Sequence, residues 1–210
     1  MITDYGTEVK LLAVTSRVDE TGQIVEAPAG VPAENLIEWA GRLCYNNQEK
    51  LGAKSGWIQE RIKDGHESIL EHASATFFIR ASRVLTHQLV RHRIASYSQR
   101  SQRYVNESKP RYITPPELIG SDGIDFFKRT MDFCWDAYRH LLEVGMPKEI
   151  ARYVLPNACE TQIVMTMNFR ELRHFIKLRT SRRSLPEMQE VAGKVRDICK
   201  EIAPQVFEDL

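Results

Sequence analysis

Residues 91–104, "RHRIASYSQRSQRY", gather Arg91, Arg93, Arg100 and Arg103 with His92, three serines and two glutamines, and contain no carboxylate. The depletion runs wider. From His72 to Asn106 there is no Asp, Glu or Lys, while Arg80 and Arg83 add two more guanidiniums. A solvated basic face ordinarily mixes Lys with Arg and scatters acids among them. Arg alone offers planar, forked donors suited to phosphate or carboxylate oxygens, and serine hydroxyls can complete the oxygen shell. Anion recognition is the expected chemistry of this segment. The plainer alternative is a surface patch.

A second basic cluster lies at 170–183, with Arg170, Arg173, His174, Lys177, Arg179, Arg182 and Arg183. At 100° per residue, Arg170, Arg173, His174 and Lys177 share one helical face, and Leu172, Phe175, Ile176 and Arg179 fall on the opposite one. Arg179 thus continues an apolar stripe. Its guanidinium must either snorkel out at the helix end or meet a partner or ligand in a partly dry place.

Other chemistry-bearing residues give weaker signals. In "GHESILEH" (65–72), His66 and His72 are six apart, not the i, i+4 spacing of a helical zinc pair, so no metal site is expected. Glu67 and Glu71 stand at i, i+4 and would either orient polar groups at a cofactor or belong to a capped surface turn. Cys44, Cys134, Cys159 and Cys199 form no CxxC pair. They read as reduced thiols of a cytoplasmic protein, and Cys44 reads as an apolar filler before it reads as a nucleophile.

The elements that must position these residues follow from periodicity and punctuation. Strands are expected at 9–16, 74–81 and 159–168, and a loop at 19–34. Helices are expected at 34–45; at 56–64, capped by Ser55 and closed by Gly65; at 83–93, capped by Ser82; and at 123–145, closed by Gly145. Pro147 opens a further helix. Asn168, with Glu171 three residues on, makes a capping-box start for "FRELRHFIKLR", and a terminal helix runs over about 186–202. In the helix from 83, Gln88 and Arg91 share a face, so an amide and a guanidinium project together where the chain leaves for the serine-rich segment. The dipole there has the wrong sign for an anion, so side chains must supply the affinity.

The 210 residues, 42% hydrophobic and 27% charged, suit one domain spanning 1–210. A net charge of +1 argues against a nucleic-acid coat, and Tyr97 and Tyr104 alone are offered for base stacking. The start has no signal-peptide layout, and no apolar run approaches the roughly 20 residues of a membrane span. Neither GxGxxG nor GxxxxGK[ST] occurs, so neither standard phosphate loop is present.

"RHRIASYSQRSQRY" resembles the signature of the flavin-dependent thymidylate synthases: Arg-His-Arg, seven residues, then Ser, here Arg91, His92, Arg93 and Ser101. "GHESILEHASATFFI" is similar to that family's His-x-(Ser/Thr)-x-x-Glu-His segment. "MPKEIARYVLP" resembles its helix with a phosphate-binding Arg, here Arg152, and "MNFRELRHFIKLR" its closing segment. The four blocks stand in order over about 65–180. The resemblance implies an α+β fold, a mixed sheet packed with long helices, in a homotetramer whose sites draw on several subunits. It implies reductive methylation of dUMP to dTMP, with methylenetetrahydrofolate as one-carbon donor and FAD, reduced by NADPH, as hydride carrier. No nucleic-acid or membrane partner is implied. Carried over by position, Ser68, Glu71, Arg91, His92, Arg93, Gln99, Asn168, Phe169, Arg170 and His174 would serve the flavin. Gln88, Leu89, Val90, Arg91, Gln99, Arg100, Ser101, Gln102, Arg103 and Arg152 would serve dUMP. Arg179 would sit against the uracil as the catalytic group, and His66 would lie near flavin and folate. Many relatives have an acidic residue where Gln99 stands. No cysteine nucleophile is required, unlike in the classical thymidylate synthases.

Overall fold

A computed structural model describes residues 3–4, 6–25 and 32–210. Its strands are β1 (Thr3–Asp4), β2 (Glu8–Val14), β3 (Ser74–Ser82), β4 (Ser96–Gln99), β5 (Arg111–Tyr112) and β6 (Glu160–Asn168). Its helices are α1 (Pro32–Leu43), α2 (Trp57–Lys63), α3 (Arg83–Leu89), α4 (Ile124–Glu143), α5 (Lys148–Ala151), α6 (Phe169–Arg179), α7 (Pro186–Ile202) and α8 (Pro204–Phe207). A 3-10 turn covers Glu67–His72.

The main sheet has the order β2-β3-β6-β4, and every pairing in it is antiparallel. The fold is α+β as expected, but the main sheet is not mixed. The one parallel pairing among the described residues is the two-residue β1–β5 ladder, which stands apart.

Alternation on β3 and β6 explains the core. Ala75, Phe77, Ile79 and Ala81 point to one face with Ile163, Met165 and Met167, all nearly inaccessible. Leu172, Phe175 and Ile176 of α6 and Met188, Val191, Ala192, Val195 and Cys199 of α7 belong to the same cluster, the 3.6-residue stripe that amphipathic helices present to a sheet. A smaller cluster joins Tyr112, Met131, Trp135 and Cys159, so Trp135 rather than Cys134 fills the inward stripe of α4.

The punctuation largely held. Gly65 (φ +80°) and Gly145 (φ +85°) follow α2 and α4 in the left-handed region that an L side chain resists. Ser82 caps α3, its Oγ accepting from Leu85 N at 3.1 Å. Ser55 does not cap α2; Gly56 occupies that position without a side-chain bond. The expected loop at 19–34 lies partly outside the described residues, and α1 starts inside it at Pro32. No helix among the described residues is long and apolar enough to cross a membrane.

Candidate active site

Helix α3 stops at Leu89, four residues short of the expected end, so Arg91 lies beyond it. The reason is β4, which the polar "SYSQ" conceals. This strand pairs with β6 through Tyr97↔Met165 and Gln99↔Ile163, and the chain must turn at once to reach it. Tyr97 secures the turn: its hydroxyl lies 2.8 Å from Leu89 O and 3.0 Å from His92 O, so one proton is shared between two carbonyls of the turn. Burial raises the Tyr97 pKa well above its usual value, so the donor stays protonated. Gln99, two residues on, donates to Thr86 Oγ1 at 3.1 Å and to Thr161 Oγ1 at 3.2 Å. At this position a neutral amide bridges two hydroxyls.

The turn buries His92, which retains 5% exposure. Its Nδ1 lies 3.1 Å from Glu171 Oε1, and its Nε2 accepts from Arg179 Nε at 3.0 Å. An arginine can only donate, so Nε2 is bare and the proton sits on Nδ1, where it donates to the carboxylate. Burial lowers the His92 pKa first. Glu171 opposes that through its hydrogen bond, and Arg179 adds to the lowering. Arg179 also donates from Nη2 to Gln88 O at 3.4 Å. The stripe-continuing arginine therefore meets a partner. Phe175 stands edge-on to the His92 ring at 5.2 Å and His174 at 5.9 Å. On a straight wheel His174 points away from Arg179, yet both flank this one ring.

His92, Glu171 and His174 bring one ligand atom each within 4.8 Å of one another. Both His92 nitrogens are already engaged, and the Arg179 guanidinium beside them disfavours a second cation.

Asn168 starts α6 as expected, its Oδ1 accepting from Glu171 N at 2.8 Å. The capping box is only half made, because the Glu171 carboxylate turns to His92. Next to it, exposed Arg170 donates to Glu71 Oε1 at 2.6 Å and approaches Glu67 at 3.7 Å. These residues line a cavity of about 580 Å³ with Ile94, Asn168, Glu171, His174 and Lys177. Ser68 is exposed on the same 3-10 segment, and exposed His66 immediately precedes it. Arg91 and Arg93 are exposed and engage no carboxylate among the described residues.

The second half of the arginine segment sits elsewhere. Arg100 Nη2 donates to both oxygens of Glu107, at 3.1 and 3.0 Å, and burial raises the Glu107 pKa despite that neighbour. Arg103 Nε donates to Glu149 Oε2 at 3.3 Å, and Arg152 Nε donates to Glu149 O at 3.3 Å. Ser101 Oγ accepts from Arg103 N at 3.2 Å. The fold thus supplies from α5 and the 105–110 loop the acids that the segment lacks, and it brings Ser101, Arg103 and Arg152 into one neighbourhood.

Several expected residues turn inward. Phe169 is fully buried, its ring 5.2 Å from Phe207, and its amide donates to Ala73 O. The Leu89 side chain is core, Gln102 is buried, and Val90 is exposed. Arg173, placed by periodicity on the polar face, is 2% exposed and donates to Asp209 and Val206 O. Cys159 and Cys199 are buried, and desolvation pushes the Cys159 thiol up to about 12. Sequence reasoning missed Glu171 as anything but a cap. The signal was present, since Glu171, Phe175 and Arg179 stand at i, i+4, i+8 on one face.

The family model described as "Thymidylate synthase complementing protein" matches residues 29–205. A flavin-dependent thymidylate synthase of Geobacter sulfurreducens is 44% identical over 188 residues, covering 84% of this chain and 81% of that one. Another, of Corynebacterium efficiens, is 41% identical over 199 residues, covering 84% and 79%. One of Corynebacterium diphtheriae is 37% identical over 203 residues, covering 86% and 80%. Matched over most of its length by this model and by these relatives, the chain belongs to the flavin-dependent thymidylate synthase family.

Proposed function

We propose that this protein methylates dUMP reductively to dTMP, with Arg179 as the group beside the uracil. The enzyme uses FAD, NADPH and methylenetetrahydrofolate, as its family membership implies. The observation that carries the role of Arg179 is its anchoring. Nε is held by His92 and one Nη2 hydrogen points to Gln88 O, which leaves Nη1 and the other Nη2 hydrogen for a ligand. A half-buried cation fixed in this way lowers the cost of negative charge on a pyrimidine ring without reorganising during reaction.

The residues fit an anionic dinucleotide cofactor. Arg91 and Arg93 offer guanidiniums without carboxylate partners among the described residues, and Arg170 lines the cavity together with Asn168 and His174. When bound, FAD supplies hydride chemistry that no side chain can. The protein's tasks are binding, orientation and charge placement. Ser101, Arg103 and Arg152 form the nucleotide-phosphate side, and Glu149 holds the two arginines there until a phosphate competes for them. Gln88 and Gln99 complete that wall. Ser68 and Glu71 serve the flavin, and His66 lies near flavin and folate.

The working unit is a homotetramer in the cytoplasm. Phe126 and Phe133 of α4, seven residues apart, are 70% and 72% exposed on a face away from the Trp135 cluster. Such apolar exposure along one helix is what a subunit contact covers. The free, dispersed cysteines suit a reducing compartment.

The test is direct. Purified protein should take up FAD and turn yellow, and it should oxidise NADPH in a dUMP-dependent way when methylenetetrahydrofolate is present. Failure to bind FAD, together with no dUMP-dependent turnover, overturns the reading. Cys44→Ala should stay active, since Cys44 is an exposed residue immediately after α1 and the chemistry requires no cysteine nucleophile.

A further inference from the structure

We propose that Glu171 is a positioning residue that acts through His92 to hold the Arg179 guanidinium; this rests on the Arg179 role above. Three residues of one helix converge on a single imidazole. Glu171 takes the Nδ1 side at 3.1 Å, Phe175 packs on the ring at 5.2 Å, and Arg179 takes the Nε2 side at 3.0 Å. Their i, i+4, i+8 spacing keeps them on one face across two turns. His92 is buried, and its ring forms the back wall of Arg179.

The chemistry of each link is fixed by the next. Arg179 Nε–H needs a bare acceptor, so His92 must be neutral and carry its proton on Nδ1. A free imidazole favours neither arrangement strongly, and the choice is set by the hydrogen bond at the other nitrogen. Glu171 sets it. The residue is available for this because its carboxylate takes no part in a capping box, while Asn168 Oδ1 accepts from the Glu171 amide. With the other tautomer, or with imidazolium, Nε2–H would face Arg179 Nε–H, donor against donor. The guanidinium would then swing off its anchor while remaining in the site.

The groups facing His92 are Glu171, His174 and Arg179 of α6 and the Tyr97 hydroxyl of β4. Burial keeps the tyrosine protonated. The acid limb of turnover therefore reports His92 itself, shaped by Glu171 and by the neighbouring His174.

The experiment compares wild-type holoenzyme with Glu171→Ala and Glu171→Gln at saturating NADPH and methylenetetrahydrofolate, measuring kcat, KM for dUMP, FAD content and the pH profile. Glu171→Ala should lower kcat about tenfold to a hundredfold, as expected for a displaced catalytic group, with FAD content unchanged. Glu171→Gln should recover to within a few-fold, because its Oε1 still accepts from Nδ1–H. Its acid limb should move to lower pH, because the carboxylate that favours imidazolium is gone. Solid-state nitrogen NMR of histidine-labelled protein, assigned with His92→Gln, reads the tautomer without turnover: Nδ1–H in wild type, mixed in Glu171→Ala. A wild-type kcat in Glu171→Ala, an unchanged tautomer, a Gln variant as impaired as Ala, or loss of FAD in both variants each overturns the positioning role. Absence of dUMP-dependent turnover in wild type overturns the Arg179 reading instead, and the tautomer measurement still decides whether Glu171 orients His92.

Discussion

Arg173 meets Asp209 through two parallel hydrogen bonds, Nη1 to Oδ1 at 2.6 Å and Nη2 to Oδ2 at 2.7 Å. The guanidinium is buried and the carboxylate is 57% exposed. The pair ties the C-terminal end of the described chain to the middle of α6, the helix that also carries Glu171 and Arg179.

Asp209→Ala strands a buried guanidinium that keeps only its bond to Val206 O. The expected cost is about 1–2 kcal/mol, moderated by the exposure of the lost carboxylate. Urea unfolding checks it. Arg173 lowers the Asp209 pKa below its ordinary 3.8. The pair's contribution is therefore complete above 3.8 and lost as pH falls through the folded-state value. Wild type and variant should converge in stability under acid and differ at neutral pH.

Glu187 has the opposite sign. It is buried and accepts from Ser82 N at 2.7 Å and from Ser82 Oγ, and burial raises its pKa above 4.5. The native state holds that proton more tightly than the unfolded chain. The associated stability is complete below 4.5 and declines as pH rises through the folded-state value. Glu187→Gln should remove this decline. Denaturant midpoints of the two proteins at pH 5 and pH 7 give the comparison, and parallel pH dependences would refute it.

Tyr97→Phe keeps the ring and deletes the proton shared by Leu89 O and His92 O. About 1 kcal/mol of stability should go. Amide exchange should quicken at residues 89–93, the turn that places His92. Unchanged exchange there would mean the hydroxyl does not hold the turn.

Arg179→Ala should keep its flavin and lose turnover by about 10²–10³, the usual effect of deleting one preorganised group at a developing charge. Flavin absorbance and steady-state kinetics on one sample separate the two. Wild-type turnover would remove Arg179 from the chemistry.

Much of this molecule could be read along the chain. Aromatic and β-branched density named β3, the run 159–168 named β6, Ser82 and Asn168 marked helix starts, and Gly65 and Gly145 marked helix ends. These are local effects, settled by a residue's own backbone preferences and its neighbours within a turn. The strand β4 was not legible, because "SYSQ" has no apolar side. It is a strand only because β6 offers it an edge and Tyr97 and Gln99 find partners there. Arg173 was misplaced for a related reason: periodicity assigned it to water, and Asp209 arrives from 36 residues away.

The sequence by itself determined the inventory: an arginine run free of acids, an arginine on an apolar stripe, and ordered blocks that resemble one enzyme family. Tertiary structure alone decided the partners. It gave Arg100 and Arg103 carboxylates from Glu107 and Glu149. It also closed Glu171, His92 and Arg179 into one chain of hydrogen bonds across 79 and 87 residues of sequence. The division has a physical cause. Propensity and periodicity act over one or two turns, whereas a buried charge takes whichever partner packing brings within about 3 Å, and chain distance does not constrain that choice.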